Sequence, residues 1–238
     1  MSSWLVDLEV PGFLPAKLAV PVGAFHPRQI VIALHGAADR PEWTCGALRG
    51  IAGATPFVLC PSGIRRNDFP SDDARYSFGS VNETERELRA SLGALKSRFG
   101  AYLKSESVTL AGFELGAERA AWIAREEPAF FARVMLIDPA PGDWSSTAAA
   151  LFAGRGGKRL LIACHGAACR DDAELRAALT RRGGAEARVL DGGEGGPILG
   201  AQAVAQIAGS WAWLQASGAS KLVAANGPVP PAVAAPSK

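Results

Sequence analysis

Short apolar runs recur along the chain, each closed by a polar or glycine-containing turn. They are Ile30–Leu34, Phe57–Cys60, Val108–Ala111, Val134–Ile137, Leu160–Cys164 and Ala187–Leu190. Runs of four or five apolar residues without alternation suit parallel strands covered on both faces. Ahead of them, Trp4–Val10 alternates loosely and Lys17–Val20 forms a second short run. With Pro11, Gly12 and Pro15 between them, these two predict an antiparallel hairpin.

Helical patterns separate the runs. Ser80 with Glu83 has the spacing of a capping box, and Leu88, Leu92, Leu95 and Phe99 follow on one face. Gly116–Arg125 predicts a second helix, stopped before Pro128. Asp172–Arg182 predicts a third, with Asp171 or Asp172 as cap and Gly183–Gly184 as stop. Val204, Ile207, Trp211 and Leu214 give the last helix its apolar stripe. Strands alternating with helices predict a mostly parallel, doubly wound α/β sheet. The expected domain is 1–217. The Ala/Pro/Val-rich stretch 218–238 lacks amphipathic period and is expected to be a disordered tail.

Composition narrows the function classes. Of 238 residues, 48% are hydrophobic and 20% charged, enough for a large core. A net charge of +2 gives no reason to expect nucleic acid or a membrane surface as partner. No apolar run reaches a membrane-spanning length, and Met1–Val10 lacks the pattern of a signal peptide. Four cysteines in a chain of this length do not suggest a disulfide framework, so a cytoplasmic protein is the expectation. No motif calls for a cofactor or a metal, and none encodes an oligomeric state.

Candidate chemistry concentrates in Val108-Thr-Leu-Ala-Gly112-Phe-Glu114-Leu115-Gly116-Ala-Glu-Arg-Ala120. A strand ends, a Gly-x-x-x-Gly turn follows and an Ala-containing helix begins. The segment resembles the nucleophile elbow of the α/β-hydrolase superfamily, where small residues flank a strained central position. Glu114 stands where that resemblance implies Ser, Cys or Asp. Leu34-His35-Gly36 is similar to the superfamily's oxyanion segment, which implies backbone donors near Ala37 and at Leu115. The order of elements also agrees over residues 4–216, most nearly with small esterase-like and dienelactone-hydrolase-like members.

The same resemblance implies an acid in a segment matching His165-Gly-Ala-Ala-Cys169. Cys169 takes the acid position, with Asp171 and Asp172 slightly late. It implies a histidine in the last loop, where Asp191-Gly-Gly-Glu194-Gly-Gly196-Pro197 carries Gly196 instead. The three histidines are His26, His35 and His165, and none lies in that loop. A nucleophile, its base and the base's orienting acid work as a unit. With all three positions changed, the expectation is an inactive hydrolase fold that keeps a pocket for a small-molecule or protein partner. The alternative is hydrolysis of ester-like substrates through Glu114 or Cys169.

Several residues carry more than one reading. Glu114 is an inert replacement, or a plug whose carboxylate accepts from the oxyanion donors and resists protonation, or a nucleophile. Cys164 reads as a buried small hydrophobe, Cys164–Cys169 as thiols rather than a disulfide, and His165 as a structural strand-end residue. Asp138 holds a position some α/β hydrolases use for their acid. With no histidine to orient, it reads as a turn carboxylate. The mixed-charge loop Arg65–Tyr76 is a candidate pocket wall, as are Trp43, Trp144 and Trp213, whereas Trp211 falls on the core stripe.

Overall fold

The computed structural model describes residues 4–23, 25–193 and 199–216, without the side chains of 105–107. The strands are β1 (Leu5–Leu8), β2 (Ala16–Ala19), β3 (Arg28–Leu34), β4 (Phe57–Cys60), β5 (Ile64–Arg65), β6 (Tyr76–Ser77), β7 (Leu103–Phe113), β8 (Arg133–Ile137), β9 (Arg159–Cys164) and β10 (Glu186–Asp191). The α-helices are α1 (Pro41–Ala52), α2 (Val81–Phe99), α3 (Leu115–Glu126), α4 (Ser146–Gly154), α5 (Ala167–Arg182) and α6 (Ala201–Gln215). Eight strands form one sheet in the order β1-β2-β4-β3-β7-β8-β9-β10. The expected hairpin is present as β1 and β2 at one edge, and β2 joins β4 antiparallel. Along this sheet every pairing from β4 to β10 is parallel, while β5 and β6 pair antiparallel apart from it.

Because side chains alternate across a strand, each apolar run serves two cores. Ile30, Ile32 and Leu34 face α2 to α5, where Leu88, Leu95, Ala117, Ala121 and Phe152 are buried. Val31 and Ala33 face α1 and α6, where Leu48, Ile51, Ile207 and Leu214 are buried. The capping box of α2 forms as expected: the Ser80 hydroxyl accepts from Glu83 N, and the Glu83 carboxylate accepts from Ser80 N at 2.8 Å.

Some local readings are corrected. α1 and α4 were not legible as periodic segments, although Pro41 opens α1 and the Ser145 hydroxyl caps α4 at Ala148 N. α5 begins at Ala167 rather than Asp172, and no side chain caps it. Asp172 instead pairs with Arg176 at 3.0 Å, one helical turn on. All four cysteines are paired: Cys45–Cys60 ties α1 to β4, and Cys164–Cys169 ties the end of β9 to the first turn of α5. The thiol reading of Cys164 and Cys169 is therefore replaced by a disulfide, since the β9–α5 corner brings their Cα atoms to 5.5 Å. No described helix is long and apolar enough to cross a membrane. The segment 218–238 and Gly196 lie outside the described residues.

Candidate functional site

The strand-to-helix bend after β7 has the backbone its sequence calls for. Glu114 adopts φ +48° and ψ −114°, a left-handed conformation that costs a non-glycine residue about 1–3 kcal/mol. Three backbone bonds hold it there. Glu114 N donates to Ile137 O at 3.0 Å, and Glu114 O accepts from Ala117 N at 2.8 Å and Glu118 N at 3.1 Å. The flanking glycines are needed because β3, β7 and α3 converge. A Cβ on Gly112 would sit 2.1 Å from Gly116 O, and one on Gly116 would sit 2.2 Å from Leu34 O.

Beside the bend runs the loop His35-Gly36-Ala37-Ala38. A Cβ on Gly36 would fall 2.6 Å from Glu114 Oε2, so the Glu114 carboxylate lies against this loop. Ala38, at φ +51°, donates its N–H to Ser77 Oγ at 2.9 Å. His35 is fully buried behind the loop, stacked on Phe78 with ring centroids 4.5 Å apart. Its ring nitrogens lie 2.8 Å from Gly36 O and 2.9 Å from Ser62 O. His35 thus braces the loop and is closed off from any reacting group. Buried Glu87 anchors the next corner, accepting from Gly63 N at 2.8 Å, and burial pushes its carboxyl up.

The plug reading of Glu114 is not what the structure places here. Its carboxylate accepts no capping bond from the N-terminus of α3, and no described residue hydrogen-bonds or ion-pairs with it. Its pKa is raised, first by burial and then by the carboxylates of Asp39 and Asp138. Engagement by oxyanion donors would have pushed it the other way.

Asp138 and His165 form a pair that the sequence reading assigned separately to bland roles. Asp138 follows β8 and His165 follows β9, and the Ile137↔Ala163 register sets them side by side. Asp138 Oδ1 accepts from His165 N at 2.7 Å, and Oδ2 lies 2.7 Å from His165 Nδ1. Each side chain is 9% exposed. Asp138 therefore does orient an imidazole, and the turn-carboxylate reading is corrected. The ring edge bearing Cδ2 and Nε2 packs against Gly192, just after β10, where an added Cβ would lie 2.7 Å from each. Along the carboxyl edge the order is Glu114, Asp138, His165, Gly192, at the ends of β7, β8, β9 and β10. Neighbouring strands are about 4.8 Å apart, so roughly 10 Å of sheet separates the backbones bearing Glu114 and His165, with Asp138 between.

Two hollows flank Glu114. A cavity of about 360 Å³ is lined by Ala37, Ala38, Asp39, Trp43, Phe113 and Glu114, among others. A smaller one of about 230 Å³ lies against Glu114, Leu115, Glu118, Asp138 and Asp143. The loop 65–76 reaches the first cavity indirectly. Tyr76 exchanges backbone bonds with Asp39, while Asp73 pairs with both Arg75 and Arg40. Both arginines lie over the Trp43 ring, at 4.5 and 5.1 Å from its centroid. Arg65 is exposed and lines neither cavity. Trp144 is core, donating to Thr180 Oγ1 at 3.0 Å, and Trp213 donates to Glu186 at 3.1 Å. Only Trp43 of the candidate tryptophans walls the cavity. Cys169 is held in its disulfide and offers no thiol. Among the described residues, no group of three or more His, Cys, Asp or Glu is placed to hold a metal ion.

No protein-family model and no curated protein sequence matches this chain. Solved structures do. Protein TT1662 from Thermus thermophilus matches with a TM-score of 0.60 at 20% identity, over 91% of this chain and 100% of that one. An S-formylglutathione hydrolase from Agrobacterium tumefaciens matches with a TM-score of 0.61 at 15% identity, over 90% and 96%. Est1E from Butyrivibrio proteoclasticus matches with a TM-score of 0.63 at 10% identity, over 89% and 97%.

Proposed function

Taking as premise that the chain has the α/β-hydrolase fold, we propose that it is a catalytically silent member of that architecture. In this reading the cavity beside Trp43, Phe113 and Glu114 binds a small molecule or a short peptide. The observation carrying this is the order of groups along the carboxyl edge. The bend residue is a carboxylate, and the Asp138–His165 pair sets the Cδ2–Nε2 edge of its ring against Gly192. Acyl transfer needs a base within hydrogen-bond reach of the attacking group, and no imidazole is placed to serve Glu114.

One feature favours a second reading. The Glu114 carboxylate is unengaged and borders the cavity, so it is free to attack an ester-like carbon. Attack at the acyl carbon expels the alcohol and leaves a mixed anhydride on Glu114, whose hydrolysis needs an activated water, for which the same missing base is required. The domain is taken as 1–217. The paired cysteines weigh against the cytoplasmic placement expected from the cysteine count.

An activated aryl ester and a serine-directed phosphonate probe test the proposal together. Both should give blank results. Turnover that disappears in Glu114→Gln would overturn silence in favour of the carboxylate route. Binding is tested by a fragment screen read as thermal stabilisation, with hits expected to weaken in Trp43→Ala.

A further inference from the structure

At the opposite edge of the sheet, where the parallel strands begin, cations gather. Arg28 opens β3, Lys104 is the second residue of β7, Arg133 opens β8 and Arg159 opens β9. Arg159 ion-pairs with Glu186 at 2.9 Å and donates to Trp213 O, filling the carbonyl-rich end of α6. The side chains of Arg28, Lys104 and Arg133 have no hydrogen bond or ion pair with any described residue. Arg133 is only 6% exposed, and its Nε is buried without an acceptor. The Nε of Arg28 is in the same condition. The residue paired with Arg133 across β9 is Arg159, another guanidinium. Burial and that neighbour both push the pKa of Arg133 down. A guanidinium does not shed its proton inside a protein, and no described side chain answers the charge of Arg133.

A cavity of about 490 Å³ opens between the start of β3 and the end of α6. Arg28, Gln29, Lys104, Thr55, Trp211 and Gln215 line it, and none of its described lining residues is acidic. Gln215 connects this cavity to Arg133. Its Nε2 donates to Thr109 Oγ1 at 3.0 Å, and Thr109 is the β7 partner of Arg133. Arg133 therefore stands one strand pairing behind the cavity wall and adds field rather than contact. Trp211, Pro27 and Pro56 supply an apolar side.

We propose that this cavity binds a small phosphate monoester, with Arg28 and Lys104 on the phosphoryl oxygens and the organic body against Trp211. A guanidinium fork and an ammonium suit a multiply charged oxyanion, and the apolar wall gives the ester group a surface that a bare anion would leave unused. The site lies at the sheet edge opposite the elbow and does not depend on the reading given to Glu114.

The test titrates the full chain with phenyl phosphate, inorganic phosphate and phenol at matched ionic strength, by calorimetry and thermal shift. Phenyl phosphate should bind tighter than inorganic phosphate, and phenol should not bind. Arg28→Met with Lys104→Met should weaken phenyl phosphate at least tenfold. Lys104→Met alone, at an exposed position, should weaken it several-fold with the ligand-free melting point unchanged. Arg133→Met should raise the ligand-free melting point while shrinking the ligand-induced shift. Equal affinity for phenyl phosphate and inorganic phosphate would overturn the monoester assignment. No shift beyond that of matched sodium chloride would overturn the site, as would full affinity in Lys104→Met. Loss of binding in Glu114→Gln would move the ligand to the elbow and overturn it as well.

Discussion

The two edges of the parallel sheet carry opposite, uncompensated charge. At the carboxyl edge, Glu114 has no partner among the described residues and lies near Asp39 and Asp138, and its carboxyl is held above its ordinary value. At the amino edge, the Arg133 side chain has no partner among the described residues and pairs across the strands with Arg159, and its guanidinium is held below its ordinary value. Burial is the leading cause at both ends. The backbones differ more. The carboxyl edge is strained, with Glu114 and Asp138 at φ +48° and +49°, and close approach demands glycine at 112 and 116. The amino edge has an open cavity and a register shift between Gln29 and Ile30, where β3 skips from Lys104 to Val108 on β7. Strained backbone around a pocket marks where chemistry would be sited, whereas a buried charge with no partner among the described residues points to a missing counter-ion.

The largest effect should come from breaking the strained edge. Gly112→Ala drives a methyl into Gly116 O, and urea unfolding should show a loss of about 3 kcal/mol or more. A smaller loss would mean that α3 can slide off β7 and that the bend is less constrained than its geometry implies. Next is Asp138→Asn, which weakens two bonds to His165. About 2 kcal/mol should be lost in the same measurement, and an unchanged midpoint would show that the pair contributes nothing to holding the 165 corner.

The two uncompensated charges sharpen the comparison because relieving either should stabilise. Arg133→Met should gain about 1–2 kcal/mol in ligand-free protein, since a buried ion is exchanged for an apolar chain of similar length. Glu114→Gln should gain about 1 kcal/mol or less, because water reaches that carboxylate. Its pH dependence has a definite sign. The folded pKa is raised, so ionisation of Glu114 opposes folding at neutral pH. As pH falls through the folded value towards the ordinary carboxylate range, the wild-type protein recovers and the advantage of Glu114→Gln disappears. An advantage constant from neutral to acidic pH would show that the carboxylate is not destabilised in the fold.

The hydrophobic pattern along the chain fixed the parallel strands, the antiparallel hairpin and the helices α2, α3 and α6. Each is a local periodicity whose burial leaves one arrangement that covers both faces of the sheet. The glycines at 112 and 116 likewise made the bend legible, because only a close backbone approach needs that spacing. The pairing of Asp138 with His165 was not legible, since 27 residues separate them and a strand register brings them together. Nor were the direction of His165 Nε2, the exposed fate of Arg65 or the two cysteine bridges. Contact order along one chain says which residues are near in sequence. Only the packing of β8 against β9, and of α1 and α5 on their strands, decides which polar groups meet and which are left facing a cavity alone.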